Sequence, residues 1–337
     1  MDIAANILEL VGNTPMVYLD RLRSSIAPQG ARVAAKCEMF NPGSSVKDRI
    51  GLPLIRAGEE QGLLRPGGTI VEPTSGNTGL GLAMAASLLG YKMVCVVPDK
   101  VPKEKQDLLK AYGAEVLVCP TNVAATDPRS YYKVAERLRD EEGAYLPYQY
   151  HNQANPTAHI ATTGAEIWRQ TDGKLTHFVA GVGTGGTISG VGRALKNQNP
   201  DVQVIGADTE GSIYAYYHKH KKMPPAKDIH QYAIDGIGED FLPDTVWWDV
   251  IDGIETVSDD DAYLMQARMA REEAIFSGSS AGAAVHAAFA VANKLPASAL
   301  VVTILPDIGD RYLSKFHPVW LREKGLKKAA AYLEAKA

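Results

Sequence analysis

A chain of 337 residues, with 45% hydrophobic and 22% charged residues, is long enough for two lobes around a good core. Its net charge of -4 leaves no basic footprint for nucleic acid, and no uninterrupted apolar run reaches the length of a membrane span. The start, Met1-Asp2-Ile3-Ala4-Ala5-Asn6, lacks the basic region of a signal peptide. Cys37, Cys95 and Cys119 are widely spaced, each in or beside an apolar run. They are expected as buried free thiols in a reducing compartment, not as a disulfide framework or a metal site, and the protein is expected in the cytoplasm.

In chain order, Ile7 to Leu19 carries the turn Val11-Gly12-Asn13-Thr14-Pro15 before a short strand. Arg32 to Met39 reads as a strand. Asn41-Pro42-Gly43-Ser44-Ser45-Val46-Lys47-Asp48-Arg49 follows, with Ser45 expected to cap a helix. The apolar stripe of that helix starts with Ile50, Leu52, Leu54 and Ile55, and the helix is expected to run to about Leu64. Thr69 to Glu72 is a strand, Leu80 to Leu89 a helix and Lys92 to Val97 a buried strand. Pro102 to Tyr112 is a helix, with Lys100, Lys103, Lys105 and Lys110 expected on a solvated face. Glu115 to Val118 is a strand and Pro128 to Glu142 a helix. Asn155 is expected to cap a further helix, with Pro156 in its first turn. The second half gives a strand at His177 to Val182, a helix at Thr187 to Leu195 and a strand at Val202 to Ala207. Thr209 to Pro243 reads as irregular. Helices at Asp259 to Arg271 and Ala281 to Asn293, and a strand at Leu300 to Leu305, complete the core. The tail from Lys324 is expected to be an exposed helix. The alternation is that of beta-alpha-beta units, hence an α/β fold with mostly parallel sheets.

Four turns carry chemistry. In the first, Lys47 sits just inside a helix start, where the helix dipole disfavours its charge. A lysine poised to lose its proton can attack a carbonyl and form a Schiff base. The alternative is a surface lysine beside Asp48 and Arg49. Glu72-Pro73-Thr74-Ser75-Gly76-Asn77-Thr78-Gly79 offers neutral donors to an anion at a helix start, beyond what capping needs. Gly181-Val182-Gly183-Thr184-Gly185-Gly186-Thr187 follows an apolar strand and suits a phosphate. Gly181, Gly183 and Gly186, with Asp208 ending the next strand, also fit a dinucleotide fingerprint, so a nicotinamide site competes. That reading leaves the other turns unused. The fourth turn is Ser277-Gly278-Ser279-Ser280-Ala281-Gly282.

Together these turns resemble the fold-type II pyridoxal-phosphate enzymes, the cysteine synthase and cystathionine beta-synthase group, from Gly12-Asn13-Thr14-Pro15 to Leu305-Pro306-Asp307. The resemblance implies the tryptophan synthase beta-like fold, with two open twisted, mostly parallel sheets flanked by helices. It implies a smaller movable domain over 38–155, a larger one of 1–37 plus 156–337, and no regulatory domain. It implies pyridoxal 5'-phosphate on Lys47, with Asn77 at its ring hydroxyl and Gly183, Thr184, Gly185, Gly186 and Thr187 at its phosphate. Ser280 matches the residue that meets the pyridine nitrogen. A serine there leaves the ring a moderate electron sink, suited to loss of a beta-substituent. Thr74, Ser75, Thr78 and Gln149 match the residues that grip the substrate carboxylate. No metal is implied.

The implied reaction is beta-replacement through an aminoacrylate, with Lys47 as general base and ping-pong kinetics. Asp208-Thr209-Glu210-Gly211-Ser212-Ile213, Lys36-Cys37-Glu38 and Gln149-Tyr150 are similar to the cystathionine beta-synthase versions. Gly236, within Asp235-Gly236-Ile237-Gly238-Glu239-Asp240-Phe241, resembles the segment that lines the substrate mouth. Two positions depart: the eukaryotic synthase has tyrosine in place of Glu239 and arginine in place of His151. Glu239 is either a partner for the amino group of homocysteine or a solvated loop acid. The haem-binding extension and C-terminal regulatory pair of animal synthases are not matched. Serine, or an activated serine, plus homocysteine giving cystathionine is the first expectation. Cysteine from O-acetylserine and sulfide is the second, and a silent scaffold on the same fold the third. Small-molecule substrates and a homodimer are implied, with no nucleic-acid or membrane partner.

Overall fold

The computed structural model describes residues 3–74, 76–124 and 126–335. Its described strands are β1 (Met16–Tyr18), β2 (Arg32–Cys37), β3 (Thr69–Pro73), β4 (Lys92–Pro98), β5 (Glu115–Cys119), β6 (His177–Gly181), β7 (Gln203–Thr209), β8 (Gly253–Val257) and β9 (Leu300–Leu305). They form a six-stranded sheet in the order β1-β2-β9-β6-β7-β8 and a three-stranded sheet β3-β4-β5. β1 runs antiparallel to β2, and every other pairing is parallel. The central strands read as unbroken apolar runs because helices cover both faces. β8 escapes sequence reading because it is an edge strand with only Val257 buried, so no apolar alternation marks it.

Close backbone approaches join the helices. In helix Ser279–Ala292, a Cβ on Gly282 would lie 2.1 Å from the carbonyl oxygen of Ala262, so this Ala-rich helix beds directly on helix Asp259–Glu272. Helix Asp48–Glu60 crosses helix Asn77–Leu89 the same way. A Cβ on Gly51 would meet the Gly81 carbonyl at 2.2 Å, and one on Gly81 would meet the Lys47 carbonyl at 2.6 Å. The lysine turn and the Asn77 turn are thereby locked to one another.

Several local expectations are corrected. The Asp48 helix ends at Glu60, where Gly62 takes φ +70, not at Leu64. Ser45 does not cap it: the Ser45 hydroxyl accepts from the Lys47 amide at 3.2 Å, and its backbone bridges to Asp307. Asn155 lies within helix Ala154–His159, and its amide donates to the Gln149 carbonyl (2.9 Å) and the Thr184 hydroxyl (3.1 Å) instead of capping. The 209–243 stretch contains helix Tyr214–His220, whose first turn is held by Asp208 accepting from the Ala215 amide at 2.9 Å. Its aromatic and basic sequence has no apolar period to announce it. The tail helix Lys327–Ala335 is not simply exposed. Ala329, Ala330 and Leu333 are buried, and Asp260 accepts from the amides of Lys328 and Ala329 at 3.0 Å each. Lys105 is also buried, whereas Lys100, Lys103 and Lys110 are exposed. All three cysteines are free and buried.

Gly51→Ala forces the two crossing helices apart and is expected to cost about 1–3 kcal/mol. A urea unfolding midpoint equal to that of the unsubstituted protein contradicts this account of the crossing.

Candidate active site

The lysine turn is stitched to the end of β9. The Val46 amide donates to the Pro306 carbonyl (2.8 Å), and the Ile308 amide donates to the Ser44 carbonyl (3.3 Å). Lys47 is not a surface lysine beside surface charges, because both of its neighbours, Asp48 and Arg49, are 3% exposed. Burial lowers the Lys47 amine to about 8, against the opposing attraction of the Asp307 carboxylate. About a quarter of such amines are neutral near pH 7.5, on the order of a hundred times the fraction of an ordinary lysine.

Asp307 joins three of the four turns. Its carboxylate accepts from Asn77 Nδ2 at 2.8 Å and from the Tyr312 hydroxyl at 2.5 Å. Its carbonyl accepts from the Ser277 hydroxyl, and its backbone pairs with Ser45. Arg311 donates to Asn77 Oδ1 and to the Gly43 carbonyl. Ser280 lies in the first turn of helix Ser279–Ala292, buried, and no described residue bonds its hydroxyl. Neither Asp307 nor Arg311 is singled out by sequence reading. The available signal was a Pro-Asp turn directly after an apolar strand.

The glycine-rich turn opens helix Gly186–Gln198, with Gly185 at φ +86. Its glycines are sterically required. A Cβ on Gly183 would lie 2.4 Å from the Gly236 carbonyl, one on Gly185 would lie 2.3 Å from Val246, and one on Gly186 would lie 1.9 Å from Asn155 Oδ1. The Thr187 hydroxyl is within 3.3 Å of His159 Nε2, whose other nitrogen bonds Thr163. His159 is wholly buried, and burial, with Lys47 and Arg49 nearby, keeps the ring neutral well below the usual range. Thr245 donates to the Thr184 carbonyl at 2.5 Å. His159 and Thr245 lie far from the glycines in sequence and carry no motif.

Thr74, Thr78 and Gln149 come together. Thr78 donates to Gln149 Oε1 at 2.6 Å, and the Thr74 hydroxyl accepts from the Gly76 amide at 3.1 Å. Ser75 lies outside the described residues. Glu72, buried at the end of β3, accepts from the Tyr148 (2.8 Å) and Gln149 (3.1 Å) amides and so sets the Gln149 backbone. Burial raises the Glu72 carboxyl to about 8.

The Gly236–Phe241 segment packs on the glycine turn, and the Gly238 amide donates to the Val182 carbonyl at 2.8 Å. Glu239 is half-buried, not a freely solvated acid. Burial raises its carboxyl to about 7, with a further push from Asp240, while the Tyr150 hydroxyl and Lys100 pull it down. His151 instead pairs with Asp244 at 2.7 Å on the exposed side. Asp208 is buried and turned onto the start of helix Tyr214–His220, where a ribose cannot reach it.

A lysine poised to lose its proton, a cradle of amides and hydroxyls for a phosphate, and a neutral hydroxyl at a helix start form one connected site. The family description "Pyridoxal-phosphate dependent enzyme" matches residues 7–307. The chain belongs to this family. It is 42% identical over 325 residues to rabbit (Oryctolagus cuniculus) cystathionine beta-synthase, covering 96% of this chain and 58% of that protein. It is equally 42% identical over 310 residues to cysteine synthase of Staphylococcus aureus (strain Mu50 / ATCC 700699), covering 92% of this chain and 95% of that one. The solved O-acetylserine-dependent cystathionine beta-synthase of Helicobacter pylori superposes with a TM-score of 0.83 at 37% identity, over 94% of this chain and 99% of that one. The chain thus spans little more than half of the rabbit relative.

Membership settles the cofactor as pyridoxal phosphate and overturns the nicotinamide alternative. The residues present fit the group: the Thr184–Thr187 turn is carboxylate-free and opens a helix, and the unbonded Ser280 hydroxyl suits a ring nitrogen. Among the described residues, no helix is long and apolar enough to cross a membrane.

If Lys47 is the anchor that the resemblance implies, capture of pyridoxal phosphate by the apoprotein needs its neutral amine, and the rate should rise about tenfold per pH unit up to a pH of about 8 and level off above it. Stopped-flow absorbance across pH 6 to 10 checks this. A rate still climbing at pH 10 means an unperturbed lysine.

Proposed function

We propose that this protein catalyses a pyridoxal-phosphate-dependent beta-replacement, joining serine or an activated serine to homocysteine to give cystathionine. The carrying observation is Glu239. Its carboxylate is half-buried, and among the described residues it has no ion-pair partner. A carboxylate so placed at a mouth suits the ammonium group of an amino-acid thiol, a group that sulfide lacks.

Lys47 is assigned as the cofactor's anchor and as the base that takes the substrate's alpha-proton and later returns it. Pyridoxal phosphate, when bound, supplies an electron-withdrawing ring that stabilises negative charge at the substrate alpha-carbon. Asn77, the Gly183–Thr187 turn and Ser280 are assigned to hold it. His159 orients the Thr187 hydroxyl. Thr74, Ser75, Thr78 and Gln149 orient the substrate carboxylate, and Gly236, at φ +86, leaves the mouth free of a side chain. Two substrates reacting in turn at one lysine give ping-pong kinetics. We further assign 38–155 as a smaller, mobile lobe and the rest as a larger one, in a cytoplasmic homodimer. Exposed Phe40, Val17 and Tyr18, on the lysine side and on edge strand β1, offer apolar surface for pairing.

A second reading, cysteine from O-acetylserine and sulfide, draws on the likeness to the staphylococcal cysteine synthase over nearly its whole length. Incubation of the holoenzyme with serine plus homocysteine, and separately with O-acetylserine plus sulfide, separates the two by product mass. Cystathionine is expected to dominate. Faster cysteine formation overturns the homocysteine reading.

Glu239→Gln should raise the KM for homocysteine about tenfold, as expected for one lost charge-assisted contact, and leave the KM for serine unchanged. In the unsubstituted enzyme that KM should fall as pH rises through about 7, where the Glu239 carboxyl ionises. Equal homocysteine KM values in the two enzymes make Glu239 a bystander.

A further inference from the structure

The charge pattern of helix Lys103–Ala111 puts Lys105 among solvated lysines, yet its side chain is 8% exposed. The ammonium lies 4.1 Å from the centroid of the Tyr312 ring, and among the described residues no hydrogen bond or ion pair holds it. Burial disfavours this ammonium, with Lys315 and Arg311 opposing it and Asp235 and Asp307 attracting it without bonding it, and a methionine of similar length would pack there more cheaply. The position thus carries a charge that the fold does not need for packing.

Its surroundings point to the use of that charge. The Lys105 stem runs under Gly76, in the middle of the Thr74–Thr78 turn: a Cβ on Gly76 would sit 3.3 Å from Lys105 Cδ. Gly76 itself is at φ +134, a conformation closed to other residues, and it has no side chain with which to brace the turn. Tyr312 belongs to the segment after β9, on the six-stranded sheet, whereas helix Lys103–Ala111 packs beside β5 of the three-stranded sheet. The Tyr312 hydroxyl donates to Asp307, and the same carboxylate oxygen accepts from Asn77 at the end of the turn. Lys105, Tyr312, Asp307 and Asn77 thus form one relay that leaves the substrate turn, crosses between the two sheets and returns to it.

We propose that Lys105 is a positioning residue for the amino-acid substrate, its ammonium seated on Tyr312 bracing the Thr74–Thr78 turn from below in its carboxylate-binding shape. Its positive charge behind a turn of neutral donors also attracts the substrate carboxylate. The inference rests on the assignment of that turn to the substrate carboxylate.

The test is titration of holoenzyme with serine, and in parallel with O-acetylserine, followed by the change in the cofactor's visible absorbance. Lys105→Met and Tyr312→Leu should each weaken amino-acid binding about tenfold, and the double variant should be no weaker than either alone, as for two members of one interaction. Lys105→Arg, which keeps a cation on the ring, should recover most of the affinity. Tyr312→Phe preserves the ring and the packing but cuts the link to Asp307, and it too should weaken binding. Pyridoxal-phosphate affinity should stay within about twofold in Lys105→Met and Lys105→Arg, a split that general destabilisation would not give. Unchanged serine affinity in Lys105→Met or Tyr312→Phe, or losses that multiply to about a hundredfold in the double variant, overturns the proposal. If unsubstituted holoenzyme responds to neither amino acid, the carboxylate assignment itself has failed and this inference falls with it.

Discussion

The site depends on one buried charge, the guanidinium of Arg49, two residues from the reactive lysine. It donates to Glu38 from Nε (2.6 Å) and Nη2 (2.9 Å), and to Glu166 from Nη1 and Nη2 (2.8 Å each). Lys36 closes the set with an ion pair to Glu166 at 2.7 Å. Two cations and two anions cancel, and Thr14, Asn41 and the Asn13 amide satisfy the remaining acceptors. Burial pushes the Glu166 carboxyl up, but the bonds from Arg49 and Lys36 pull it down further, to about 2. Removing one partner of such a cluster commonly costs about 3–5 kcal/mol, because the others are left charged and dry. The network ties the start of the Asp48 helix to β2, to the Asn13-Thr14 turn and to helix Ala165–Gln170. Lys47 is held in place because its neighbour cannot move.

Around that anchor, chemistry is assembled by carbonyl and amide contacts more than by side chains reaching out. The Gly51–Gly81 crossing fixes how far the lysine turn lies from the Asn77 turn. Asp307 then fastens both to the Ser277–Ser280 turn. The same burial that makes these contacts short also lowers the Lys47 amine toward neutrality, so rigidity and reactivity have one cause. At the mouth the logic differs. Glu239 is half-buried and, among the described residues, has no ion-pair partner, which is why it is proposed to meet an incoming cation.

The motifs were legible because each is local. Lys47, Asn77, the Gly183–Thr187 turn and Ser280 stand in short runs whose residue types are dictated by a turn, a helix start or a close approach, so the α/β rhythm and the cofactor family can both be read from linear order. The parallel strands were legible for the same reason, since burial on both faces leaves unbroken apolar runs. What linear order hides are residues whose importance is a matter of who sits opposite. His159 and Arg311 carry no motif, Glu72 and Asp307 stand at the ends of quoted runs with no role read for them, and each is defined by a partner far away in the chain. Lys105 is the sharpest case: helical periodicity groups it with three exposed lysines, and only the approach of Tyr312 from the other sheet covers it.

Sequence alone therefore determined the fold class, the cofactor family and the places of the glycine- and hydroxyl-rich turns, because backbone conformation and local donors are properties of a few adjacent residues. Tertiary structure decided which charges are buried, which are paired and which are left waiting. Desolvation and pairing are set by atoms that arrive from elsewhere in the chain. For that reason Arg49 became a foundation, Glu239 an unpaired acid and Lys105 a brace, though all three are written as ordinary charged residues.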